Sequence, residues 1–346
     1  DTVLGVFPHI EIVDLRKRPR GSRVTFRWIG HELRDYQREA VASALAPTGL
    51  GEPPRGILQV PIRGGKTLIA AKIIQNLGWR TVFVVESELL LRQTIRAFES
   101  YLEPTIAWPD GPWIGTCGSG EWTPGWVSVL MIQSALAHPT KALELLRASD
   151  LVIVDETHHL RSDEWRKPLL ASDIWGRIGL SATLFEEPSI PQERSTIWVR
   201  AVVGPIVCEI PVSRLIDQGH LVQPWVLVYP VTHVGAKRAW RGGLTYNECV
   251  VEGVKRNGLI TRLATDASER GALVLIDTGR LSQMVALRRA LEAQGVACAE
   301  IHGKTPSAQR QRILARFRDR EISVLIGTVL GEGVDIPELN VVINAE

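Results

Sequence analysis

The 346-residue chain is longer than one ordinary hydrophobic core supports and is sized for two domains. Its 45% hydrophobic and 23% charged residues are those of a globular protein, which excludes a chain disordered throughout. A net charge of +2 leaves little to overall charge in binding a polyanion, so any nucleic-acid track has to be local.

No run of eighteen apolar residues occurs, and Asp1 opens neither a basic nor an apolar leader, so a cytoplasmic protein with no membrane partner is expected. Cys117, Cys208, Cys249 and Cys298 are widely spaced with no Cys-x-x-Cys pair. They are read as buried free thiols, not as ligands or a disulfide framework.

Residues 1–30 mix short β-prone runs with a basic turn at 16–21 and read as an appended strand pair. From Leu33 onward, apolar runs at 57–60, 81–85, 127–131, 151–154 and 178–180 alternate with amphipathic helical stretches. Continuous β-branched runs separated by helices predict buried parallel strands of a doubly wound sheet. The stretch 104–126 carries Trp108, Trp113, Trp122 and Trp126 among many Gly and Pro residues. Its indoles either build a small aromatic core under a long loop or stack on bases.

A second series of strands is expected at 225–231, 272–276, 296–301, 322–326 and 341–343, with helices at 281–294 and 307–320. The expected fold class is therefore α/β, with two parallel-sheet domains in tandem. Residues 31–207 form the first and 223–346 the second, incomplete at its C-terminal end. A crossover at 208–222 joins them.

The chemistry starts after the strand at 57–60, where Pro61-Ile62-Arg63-Gly64-Gly65-Lys66-Thr67 opens a helix. A glycine-rich turn between strand and helix aims backbone N–H groups and the positive helix end at an anion. Gly64 and Gly65 would cradle phosphates, Lys66 would reach the β- and γ-phosphates, and the Thr67 hydroxyl would ligate Mg²⁺. Arg63 stands where such loops favour glycine, so a left-handed backbone there would be strained.

The strand at 151–154 runs into Asp155-Glu156-Thr157-His158-His159. Carboxylates at the C-terminal edge of a parallel strand sit where α/β sheets bind ligands. Asp155 is expected to hold Mg²⁺, and Glu156 to orient or deprotonate the water that attacks the γ-phosphate. The histidine pair lacks a further ligand at zinc spacing.

With both sites quoted, the chain resembles the superfamily 2 DExH-box helicases, closest to the XPB and UvsW group, over 33–346. The resemblance implies two RecA-like domains, ATP with Mg²⁺ as cofactors, and sequence-independent movement along nucleic acid, DNA in preference to RNA. Leu33-Arg34-Asp35-Tyr36-Gln37 is similar to the family's adenine-recognition motif, with Gln37 pairing adenine and Arg34 flanking it. Ser87 and Arg92 fall in a stretch like motif Ia, and Gln133 with Ser134 in the next strand-contacting motif. Ser181-Ala182-Thr183 is similar to motif III, so Ser181, Thr183 and His158 are assigned to coupling.

In the second domain, Asp277-Thr278-Gly279-Arg280, Ile301-His302-Gly303-Lys304-Thr305 and Gly327-Thr328 through Pro337 resemble motifs IV, IVa and V. By that likeness Thr278, Arg280, His302, Lys304 and Thr328 would contact nucleic acid, while Gly333 and Asp335 would approach the nucleotide. Motif VI, with its arginine fingers, is expected beyond the run ending Asn344-Ala345-Glu346. The chain as written is therefore expected to hydrolyse ATP poorly. A nucleic-acid-binding regulatory module with little turnover stays open beside the ATP-dependent helicase or translocase.

Overall fold

In the computed structural model, the described residues are 23–46, 54–106, 111–182, 192–231, 247–328, 336 and 338–345. The basic turn at 16–21, Trp108, Thr183, Gly333 and Asp335 lie outside them. The chain divides into two units, Asp1–Pro224 and Trp225–Glu346.

The strands of the first unit are β1 (Phe26–Trp28), β2 (Arg55–Gln59), β3 (Thr81–Val85), β4 (Leu102–Pro104), β5 (Ile114–Gly118), β6 (Glu121–Thr123), β7 (Val127–Met131), β8 (Leu151–Val154), β9 (Gly176–Ser181) and β10 (Ile206–Glu209). Eight of them form one sheet in the order β10-β2-β9-β8-β3-β7-β5-β6, and β1 pairs with β4 separately. Every pairing in the large sheet is parallel except that of β5 with β6.

Period-two alternation between two covered faces explains why β8, and β3 beyond Thr81, are apolar. Phe83, Val85, Leu151 and Ile153 enter one core, and Val82, Val84, Val152 and Val154 enter the other. Helices α1 (Asp35–Leu45), α2 (Lys66–Leu77) and α3 (Glu88–Tyr101) cover the first face through Tyr36, Ile69, Ile73, Leu91 and Phe98. The other face is covered by α4 (Ile132–Ala137), α5 (Pro139–Arg147), α6 (Asp163–Leu170) and α7 (Gln192–Val203), through Leu146, Trp165, Leu169 and Val199 among others. Phe83 and Phe98 meet edge to face at 5.2 Å, and each fully buried ring contributes about 1.5–3 kcal/mol of apolar transfer.

Three expectations change. The stretch at 104–126 holds a hairpin over residues 114–123: β5, a turn at Ser119-Gly120 with both residues at positive φ, and β6. Its described indoles are structural, since Trp113 and Trp126 pack against the first core and Trp122 against the second, and Trp126 Nε1 donates to the Gly78 carbonyl at 3.1 Å. The crossover predicted from 208 begins inside the first sheet, because β10 pairs with β2, and Leu215 of α8 (Val212–Asp217) is fully buried in the first core. Finally, 225–231 forms no strand: Trp225 is 89% exposed, and no partner strand lies beside it among the described residues. A β-branched run supplies propensity, but a strand also needs a neighbouring edge.

The second unit contains β11 (Val274–Asp277), β12 (Cys298–Ile301), β13 (Val324–Gly327) and β14 (Val341–Asn344), ordered β12-β13-β11-β14 and all parallel. Its helices are α9 (Val254–Glu269), α10 (Leu281–Ala293) and α11 (Ser307–Arg318). Gly258 is exposed inside α9, and a Cβ there would meet nothing within 4 Å. Gly258→Ala is therefore expected to stabilise the second unit by about 0.5–1 kcal/mol, measured as a shift in urea midpoint at unchanged slope.

All four cysteines are free; Cys117 and Cys208 are buried, Cys249 and Cys298 half-buried. Burial pushes the Cys117 thiol up to about 12. The unfolded thiol ionises first, so its contribution to stability is complete below the ordinary thiol range and is lost as pH rises toward that raised value. At pH 8 the native protein is expected to leave Cys117 unlabelled by iodoacetamide until denaturant is added.

Candidate nucleotide and nucleic-acid site

Parallel strands send their C-terminal ends to one edge of the sheet, and the order β2-β9-β8-β3-β7 fixes what meets there. The phosphate loop leaves β2, Ser181 ends β9, Asp155 and Glu156 leave β8, Glu86 and Ser87 leave β3, and Gln133 and Ser134 follow β7. Neighbouring strands lie about 4.8 Å apart, so side chains from distant parts of the sequence come within reach of one another. Such an edge is where open α/β sheets take ligands.

The phosphate loop is shaped by what its backbone excludes. Gly65, at φ +83°, caps α2, and a Cβ on it would sit 2.5 Å from Gln37 Nε2. Arg63 takes φ +63°, so the strain expected from its position is present. Such a left-handed non-glycine residue costs about 1–2 kcal/mol. Gln37 is 4% exposed; its Nε2 donates to the Gly64 carbonyl at 3.1 Å, while its Oε1 accepts from the Arg34 backbone at 2.9 Å. The Gln37 amide braces the phosphate loop. Exposed Arg34 reaches the Tyr36 hydroxyl at 3.3 Å.

Lys66 and Glu156 form an ion pair with side chains only 14% and 18% exposed. Two sequence motifs thus meet in one partly buried contact. Glu156 itself has φ +46°, another left-handed conformation, held by bonds on each side: its N–H donates to Asp155 Oδ1 at 3.1 Å, and its carbonyl accepts from His159 N at 3.0 Å. Thr157 is fully buried, with its hydroxyl against the carbonyls of Val154 and Leu180. His158 lies between Glu156 Oε2 at 3.4 Å and Ser181 Oγ at 3.3 Å. His158 thus touches both Glu156 and Ser181, which stand at the ends of different strands.

Thr67 and Asp155, both half-buried, offer oxygen donors only, the set that suits a hard cation such as Mg²⁺. No cluster of three His, Cys, Asp or Glu side chains able to hold a metal occurs among the described residues. No described helix is long and apolar enough to cross a membrane.

On the neighbouring strand end, Ser87 caps α3 by accepting from Leu90 N at 3.4 Å, so its hydroxyl has a local task. Arg92 is engaged by Glu121 of β6 at 2.7 Å, a partner the sequence reading missed because β6 was not recognised. Gln133 is exposed and Ser134 half-buried. In the second unit, the ends of β11, β12 and β13 bring Arg280, His302, Lys304 and Thr328 to one sheet edge. Arg280 and Lys304 are exposed, while His302 and Thr328 are half-buried. Thr278 is a correction. It is 1% exposed, with its hydroxyl on the Gly327 carbonyl at 3.4 Å, so it ties β11 to β13 and offers no group to a ligand.

Residues 30–186 match the family model described as type III restriction enzyme, res subunit, and 255–346 match the helicase conserved C-terminal domain. The DNA 3'-5' translocase XPB2 of Sulfurisphaera tokodaii is 27% identical, the match covering 90% of this chain and 74% of the relative. The chain belongs to the superfamily 2 helicases, in the XPB-like group. The DNA 3'-5' helicase XPB of Mycobacterium tuberculosis is also 27% identical, over 91% of this helicase and 54% of its own length. Beyond the first of these, this helicase spans about half the length of several relatives it matches. Two solved structures share its α/β two-domain fold. Saccharomyces cerevisiae Dbp5 bound to RNA and ADP BeF3 aligns with a TM-score of 0.56 at 17% identity, covering 90% of this helicase and 74% of that chain. The Pyrococcus furiosus Hef helicase domain aligns at 0.50 and 14%, covering 90% and 89%.

Proposed function

We propose that this chain belongs to an ATP-driven DNA helicase or translocase. The observation that carries the reading is the Lys66–Glu156 pair, which joins the phosphate loop to the carboxylates after β8 at one sheet edge. Lys66 would exchange Glu156 for the terminal phosphates when a nucleotide enters, which releases Glu156 to accept a proton from, or orient, the attacking water. Thr67 and Asp155 would hold Mg²⁺, whose charge supplies neutralisation of the phosphate oxygens. His158 and Ser181 position Glu156. The strand-contacting set would be Ser87, Arg92, Gln133 and Ser134 in the first unit and Arg280, His302, Lys304 and Thr328 in the second, gripping phosphates without reading bases.

A second reading, a nucleic-acid-binding module with ATP binding but little turnover, is favoured by strained Arg63 in the phosphate loop. One experiment separates the two. ATP hydrolysis by the full-length protein is measured with and without single-stranded DNA, beside DNA affinity by anisotropy. Stimulated turnover supports the motor; tight binding with no turnover overturns it in favour of the module.

A further inference from the structure

His159 has no task in the motor reading, yet its ring is packed between two others beside the site. Its ring lies 4.2 Å from that of His158 and stacks on Trp165 at 4.8 Å and 24°. Its Nε2 stands 3.5 Å from Glu86 Oε2. Glu86 is the first residue past β3, and the next, Ser87, caps α3. The His159 backbone N–H meanwhile holds the Glu156 carbonyl at 3.0 Å. A left-handed residue such as Glu156 keeps its geometry only when its surroundings over-determine it, so a shift of His159 changes where the Glu156 carboxylate points.

We propose that His159 is a positioning residue whose contact with Glu86 ties the turn carrying Glu156 to the start of α3, so that a phosphodiester backbone gripped at that helix is sensed at the hydrolysis site. The inference rests on the proposed motor function. Trp165 fixes the ring plane, and Glu86 faces the ring's Nε2 from the strand-contacting segment. The path is short and continuous: Ser87, Glu86, His159, Glu156.

The test uses the full-length protein and steady-state ATP hydrolysis with and without oligo-dT, beside anisotropy of the same labelled oligonucleotide. Coupling between sites is typically worth a factor of about 5 to 150. Glu86→Gln, which keeps the shape of a half-buried side chain, and His159→Gln are each expected to cut the DNA-stimulated to basal ratio at least about fivefold, with DNA affinity retained. The double variant is expected to lose no more than either single variant, because both remove one contact. Unchanged ratios in a stimulated background, a proportional fall of both rates, or fully additive losses would each overturn the inference while leaving the motor reading standing. An unstimulated wild-type protein would overturn both.

Discussion

Glu156→Gln is expected to lower DNA-stimulated ATP hydrolysis by the full-length protein about 10²- to 10⁴-fold, the usual contribution of a positioned general base. Glutamine keeps the length of the side chain but accepts no proton from water. Nucleotide affinity is expected to hold or to tighten, because Lys66 then no longer has an anionic side chain to leave before it meets a phosphate. Single-turnover kinetics separate the two effects, since binding and chemistry appear as distinct phases. Turnover within tenfold of the wild type would remove Glu156 from the reaction.

The largest stability effect is expected at Gly115→Ala. A Cβ on Gly115 would lie 2.2 Å from Gly125 N, 2.4 Å from the Thr123 carbonyl oxygen and 2.7 Å from Pro124 C. All three are backbone atoms, so no side chain can rotate away to make room. Overpacking against movable side chains already costs about 1–3 kcal/mol, and here the β5–β6 hairpin has to separate from the chain leading into β7, so a loss of at least about 3 kcal/mol is expected. Against a total domain stability of about 5–15 kcal/mol that removes about a fifth or more of it. Urea titration followed by tryptophan fluorescence checks it, with Gly258→Ala as the control of opposite sign.

How much of this was legible beforehand follows from burial. Strands β3, β7 and β8 match their runs residue for residue, because both faces of each are covered and the two polar residues they hold, Thr81 and Ser128, are buried with the rest. Lys66, Asp155 and Glu156 were placed correctly relative to strands and helices, since a parallel sheet leaves one edge for them. Arg63 was expected to strain the loop and does.

What escaped the sequence depends on partners instead of runs. The β5–β6 hairpin turns at Ser119-Gly120, and a serine at φ +54° gives no local sign of that conformation. Residues 225–231 have strand composition without a neighbouring edge among the described residues. Thr278 sits in a motif whose spacing says nothing about whether its hydroxyl faces solvent or the Gly327 carbonyl. Arg92 with Glu121, and His159 with Glu86, are pairs far apart in sequence, brought together only by the order of strands.

The central claim is that the phosphate loop and the carboxylates after β8 form one triphosphate site with Lys66 at its centre. Calorimetric titration of a non-hydrolysable ATP analogue into the full-length protein and its Lys66→Ala variant, with and without Mg²⁺, tests it most directly. The account predicts Mg²⁺-dependent binding that weakens about 10- to 100-fold in the variant, the worth of charge-assisted bonds to phosphate. No heat from the wild type, or equal affinity in the two proteins, would contradict it.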